Sequence, residues 1–288
     1  MRYLLFLFAL FCCIVAPAQT KADSVQLIRN TVKLYDLDFT ESEADSMLAQ
    51  LRANYSLYKG MHQTLPTNDI PFPFAFNPMP FGNAVPSKQA VINWDLPSVQ
   101  MPANKNDLAF YSLLQLASLI KNKKTSSTDL TRFFIERLKK WGDTLESVVT
   151  LTEDLAMQQA KQADDELKKG IYRGLLHGIP YGLKDLFAVK GYKTTWGSAP
   201  YKDQFINEDA FVYQQLRKAG AVLCAKLSLG ALAFNNKWFG GETKNPWNLN
   251  QGSSGSSAGS AASVVAGLLP FTIGTETLGS IVSPSTRC

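Results

Sequence analysis

The chain has 288 residues, a formal net charge of only +5, four cysteines and two histidines. The mild charge comes with no basic stripe carrying interleaved aromatics, which excludes a nucleic-acid-binding role. Two of the four cysteines lie within the first 13 residues, so the set forms neither a disulfide framework nor a metal site, and no cofactor is expected.

Met1-Arg2-Tyr3 is followed by an apolar run from Leu4 to Val15 and then by Ala16-Pro17-Ala18. This pattern of basic n-region, h-region and A-x-A site predicts a secretory signal peptide over residues 1–18, cut near Ala18. The product would be exported, periplasmic or secreted. The run falls short of the roughly 18 residues a spanning helix needs, and no other segment reaches that length, so no stable membrane span is expected. Bulky residues before Cys12 and Cys13 disfavour a lipoprotein anchor. Residues 24–60 read as helical, with Thr40 and Glu43 forming a capping box before Met47, Leu48 and Leu51. Residues 64–104 are rich in proline and predict irregular backbone laid over a surface. Residues 19–106 together read as an N-terminal helical and Pro-rich arm packed on the core, not as a separate enzyme domain.

From residue 107 helix and strand patterns alternate. Lys121 to Lys124 form a basic cluster whose reading is a solvated loop. Ser127 is placed to cap a helix through Trp141, ended by Gly142. Val148–Leu151 is a short strand, and 153–169 an amphipathic helix closed by Gly170. Strands are expected at Ile179–Leu183, Val222–Ala225 and Phe271–Ile273, with helices at Ala210–Ala219 and Ser260–Leu268. Such alternation predicts an α/β fold around one mixed sheet.

Residues 252–286 carry the most information. The stretch is rich in serine and glycine, yet it runs without a break into the apolar segment Ser263 to Leu269, which a flexible linker would not do. Small residues let backbone approach a ligand, and free N–H groups in the turn Gly274 to Ser280 can cradle an anion. Two serines beside such a cradle suit acyl transfer. Gly255-Ser256-Ser257-Ala258-Gly259 formally fits a nucleophile elbow, but Asn245 to Gln251 before it is read as no strand.

Several blocks in register resemble the amidase signature family. They are Asn245-Pro246-Trp247, the paired Ser256-Ser257, Pro270, Gly274-Thr275 and Gly279-Ser280-Ile281. Leu176 to Pro180 with Leu183-Lys184-Asp185, and Asp209-Ala210 with Leu216 to Ala221, add to them upstream. The resemblance runs from about residue 107 to the end. It implies an α/β fold with a mixed β-sheet wrapped by helices. It also implies that residues 107–288 are the N-terminal part of the family's catalytic domain, here truncated.

The resemblance further implies a Ser–cis-Ser–Lys triad. Ser280 would be the nucleophile, Ser256 the bridging serine behind a cis peptide, and Lys184 the base. The backbone N–H groups of Thr277, Leu278, Gly279 and Ser280 would face the oxyanion. Physical reasoning supports these roles, since His62 and His177 leave few candidates for a histidine triad and burial after an apolar strand would hold Lys184 neutral. Ser253, Ser254, Ser257, Ser260 and Ser263 read as caps, turn or packing residues, and His177 as structural.

Glu276, Leu278 and Val282 stand where the family usually has Asp, Gly and Arg, and Ser254 and Ala258 replace glycines. Leu278 is expected to narrow the space beside the oxyanion site. The implied reaction is hydrolysis of a small-molecule or peptide-like amide through a Ser acyl-enzyme. The alternatives are the amidase subunit of a tRNA-dependent amidotransferase, against which the leader argues, and an inactive fragment. No signal speaks to oligomeric state.

Overall fold

The computed structural model describes residues 20–65, 82, 84 and 94–288. The leader at 1–18 and most of the proline-rich run lie outside the described residues. The chain divides into two units, one ending at Ala90 and the other starting at Val91.

In the first unit α1 (Lys21–Val32) and α2 (Glu41–Thr64) pack through Val25, Ala44 and Leu48. Capping boxes start both helices, Thr20 with Asp23 and the expected Thr40 with Glu43. Within the stretch expected to be helical, Asp36 takes a left-handed φ of 56° and ends the turn after α1, ahead of the cap at Thr40.

The second unit includes residues ahead of 107: Val99 packs on its core, where Leu108 and Ala109 are buried. Its helices are α3 (Leu113–Lys121), α4 (Ser127–Trp141), α5 (Glu153–Lys168), α6 (Phe211–Lys218), α7 (Ala258–Val265) and α8 (Val282–Arg287). Ser126, not Ser127, caps α4; the Ser127 hydroxyl instead donates to Gly178 O at 2.8 Å. The main sheet holds β1 (Val148–Leu151), β2 (Pro180–Lys184), β3 (Val222–Leu227) and β8 (Thr272–Ile273), in the order β1-β3-β2-β8. β1 runs antiparallel to β3, while β2 is parallel to both β3 and β8, so the sheet is mixed. This is the expected α/β architecture of a mixed sheet with helices around it.

Every residue of β2 and β3 is buried. Val222 and Cys224 face a core with Phe134, Leu138, Ala156 and Ile179, whereas Leu223 faces Tyr181, Tyr213 and Leu216. A strand covered on both faces reads as a continuous apolar run. Two small hairpins were not foreseen: β4 (Lys237–Trp238) with β5 (Gly241–Glu242), and β6 (Lys244–Asn245) with β7 (Asn248–Gly252). The segment before the elbow-like motif is thus partly a strand after all. β7 is exposed and polar along most of its length, which is why periodicity missed it.

Candidate active site

β2 delivers Lys184. Gly182 lets the strand pass close to its neighbours, since a Cβ there would lie 2.5 Å from Leu227 Cδ1 and 2.6 Å from Leu269 Cδ1. Lys184 ends the strand fully buried. Its Nζ donates to Ser256 Oγ at 2.8 Å, Ser257 Oγ at 3.0 Å and Thr275 Oγ1 at 2.7 Å. Burial pushes its pKa down to about 8, against the opposing pull of the Glu276 charge.

The loop before α7 supplies the serines. The Gly255–Ser256 peptide is cis. Gly255 has no room for a side chain, because a Cβ would fall 1.8 Å from the backbone oxygen of Asn235. Ser256 Oγ donates to Ser280 Oγ at 3.0 Å, and Ser257 N–H donates to Ser280 O at 2.9 Å. Lys184, Ser256 and Ser280 therefore form one hydrogen-bonded chain.

Ser257, read as a packing or turn residue, belongs to this cluster. Its hydroxyl donates to Thr275 O at 3.1 Å and accepts from Thr275 N–H at 3.1 Å. Its hydrogen is therefore committed, and towards Lys184 it can only accept. A neutral amine at Nζ donates twice and accepts once. With Ser257 fixed as an acceptor, the lysine's lone pair is left for Ser256 or Thr275. Thr275 was missed as well, since nothing in a lone threonine's position in the sequence marks it as facing a lysine.

The turn after β8 carries Ser280. Gly279 adopts φ 89°, a region that L side chains rarely occupy. The Glu276 carboxylate accepts the N–H groups of Gly279 and Ile281, and that of Val282 at 3.1 Å. Two of the four N–H groups assigned to an oxyanion thus face Glu276: that of Gly279 donates to it, and that of Ser280 also turns towards its carboxylate. Those of Thr277 and Leu278 have no partner among the described residues. The Leu278 side chain is 95% exposed.

Asp185, next to Lys184, forms a fully buried ion pair with Lys226 at 2.5 Å. Lys226 also donates to Lys193 O at 2.9 Å, and Asp185 accepts from Thr195 N–H at 2.9 Å. The pair fastens the 193–195 loop to the ends of β2 and β3. His177 is buried, with Nε2 2.9 Å from Ala163 O, which gives it a structural partner away from the serines. Among the described residues no cluster of His, Cys, Asp or Glu could hold a metal ion.

Residues 129–288 match the family described as Amidase. The chain is 41% identical over 180 residues to the A subunit of a glutamyl-tRNA(Gln) amidotransferase from Coxiella burnetii, covering 62% of this chain and 37% of the relative. The protein of the same description from Methylococcus capsulatus is 39% identical over 181 residues, with the same coverage of each. Among solved structures, a native peptide amidase from Stenotrophomonas maltophilia superposes with a TM-score of 0.59 at 34% identity, over 62% of this chain and 39% of the other. The chain spans a little over a third of the length of the relatives it matches.

Proposed function

The chain belongs to the amidase family, and on that premise we propose that it serves the hydrolysis of a carboxylic amide through an acyl-enzyme on Ser280. The observation that carries this reading is the hydrogen-bond chain from Lys184 Nζ through Ser256 Oγ to Ser280 Oγ. With Lys184 neutral, both hydroxyl rotors reverse: Ser280 donates to Ser256, and Ser256 donates to the amine. Ser280 Oγ then attacks the carbonyl carbon while its proton passes through Ser256 to Lys184. The oxyanion takes backbone N–H groups of the turn, with those of Thr277 and Leu278 unengaged and those of Gly279 and Ser280 shared with Glu276. The C–N bond breaks as the same relay returns the proton to the departing ammonia or amine. Water, deprotonated through the relay, cleaves the ester and releases a carboxylic acid.

A peptide-like or small linear amide is the proposed substrate, in keeping with the similarity to the peptide amidase. A second reading is the amidase component of a tRNA-dependent amidotransferase, favoured by the 41% identity to such a protein. The leader-like residues 1–18 support export and favour the free amidase.

A fluorophosphonate probe tests the nucleophile. It is expected to label Ser280, and Ser280→Ala to abolish the label. Labelling that survives in Ser280→Ala but disappears in Ser257→Ala would overturn the assignment. Release of ammonia from simple amides by the full chain alone supports the first reading; activity that appears only with partner proteins and glutamine supports the second.

A further inference from the structure

Glu276 precedes Ser280 in the same turn. Its two carboxylate oxygens divide the backbone around that serine between them. Oε1 accepts from Gly279 N–H, on one side, and Oε2 accepts from Ile281 and Val282 N–H, on the other. Hydrogen bonds to an ionised acceptor are stronger than neutral ones. One carboxylate holding donors both before and after a residue fixes the chain path between them. Ser280 is further tied through its carbonyl, which accepts from Ser257 N–H at 2.9 Å. The Glu276 side chain is exposed, so burial does not hold it there; the backbone donors do. The same donors, that of Ile281 foremost, keep its carboxyl below the usual carboxylate range.

Building on the Ser280 reading above, we propose that Glu276 is a positioning residue whose carboxylate clamps the turn on both sides of Ser280 and holds Oγ in line with Ser256. The clamp also sets a negative charge towards Lys184, where it opposes the effect of burial. Asp185, the acidic neighbour of Lys184 along the chain, is neutralised by Lys226 and leaves this role to Glu276.

The test uses the full chain with Glu276→Gln and Glu276→Asp. Glutamine keeps the shape, loses the charge and presents an NH2 group that cannot accept. Two quantities are followed: amide hydrogen exchange at Gly279, Ile281 and Val282, and the pH profile of fluorophosphonate labelling at Ser280. Glu276→Gln is expected to speed exchange at those amides by about tenfold or more. It should slow labelling by about ten- to a hundredfold. Labelling needs neutral Lys184, so losing the acidic neighbour moves the half-point of the profile to lower pH. Glu276→Asp, which keeps the carboxylate and is the residue the family usually has there, is expected to keep the wild-type half-point and most of the labelling rate.

Unchanged exchange in Glu276→Gln overturns the clamp. Faster exchange with wild-type labelling rate and half-point overturns the positioning role. Should Glu276→Gln fail to fold, Glu276→Ala takes its place, and an unaltered labelling rate there sinks the proposal. A wild type that is never labelled removes the Ser280 reading and the positioning role with it. That outcome is told apart from failure of the clamp, which leaves wild-type labelling intact.

Discussion

At the scale of the residue, Lys184 joins stability to chemistry. An ammonium buried away from water is disfavoured, and the Glu276 charge offsets this only in part, so its pKa falls to about 8 from an ordinary 10.5. Between those two values the unfolded chain binds more protons than the folded one. Stability therefore rises with pH through that window, and the cost of burying the charge is present in full below about pH 8. Lys184→Met is expected to raise Tm by a few degrees at pH 7, with the gain shrinking as pH climbs towards 10, while labelling of Ser280 is lost. Thermal melts of both proteins across this range check it, and equal or lower Tm for the variant at pH 7 would contradict the account. The rate should follow the same group in the same direction: kcat/KM rises as Lys184 loses its proton. A profile flat from pH 5 to 9 would argue that Lys184 is structural.

At the scale of the element, the serine loop and the nucleophile turn make different demands on their glycines. Gly255 is forced by contact, because a Cβ would overlap the backbone oxygen of Asn235. Gly279 is forced by conformation, since its surroundings are open and the nearest atom to an added methyl would be Ser283 Cβ at 3.8 Å, yet φ is 89°. Gly279→Ala should thus cost about 1–2 kcal/mol, the usual penalty of a left-handed conformation for an L side chain. Gly255→Ala should cost more, because backbone and not a flexible side chain must move. Urea unfolding of the two variants compares them, and an equal or smaller loss in Gly255→Ala would show that the loop yields. Ser254, which replaces a family glycine at φ 62°, keeps its place with a hydroxyl contact to Ser283 at 2.7 Å.

At the scale of the whole molecule, the fully buried Asp185–Lys226 pair fastens the sheet to the 193–195 loop. Removing one partner leaves a buried charge without its counterpart, which costs about 3–5 kcal/mol. Lys226→Met is expected to lose that much in equilibrium unfolding, and a loss below about 1 kcal/mol would mean that water reaches Asp185. Export belongs to this scale too. Mass spectrometry of the protein from its native host should find a mature N-terminus close to Gln19, and an intact Met1 would refute the leader.

The local pattern along the chain was enough for the α/β class and for the positions of β2, β3 and α4 to α6 within a residue or two, while α7 ends three residues earlier than expected; the set of Lys184, Ser256 and Ser280 came from the resemblance of several short blocks to the amidase signature family. Those features are carried by short-range periodicity and by motifs whose residues are neighbours in sequence. The polar hairpin of β6 and β7 and the true cap of α4 were not legible, because exposed or polar strands carry no apolar period and a cap is chosen by geometry among adjacent serines. Two site features were decided only by tertiary structure: Ser257 and Thr275 on the lysine, and Glu276 on the turn. The first depends on which groups two separate segments bring within about 3 Å, whereas Glu276 folds back onto its own turn. Thr275 lies 91 residues from Lys184, and over such a separation sequence records the residue type but not the partner it will meet.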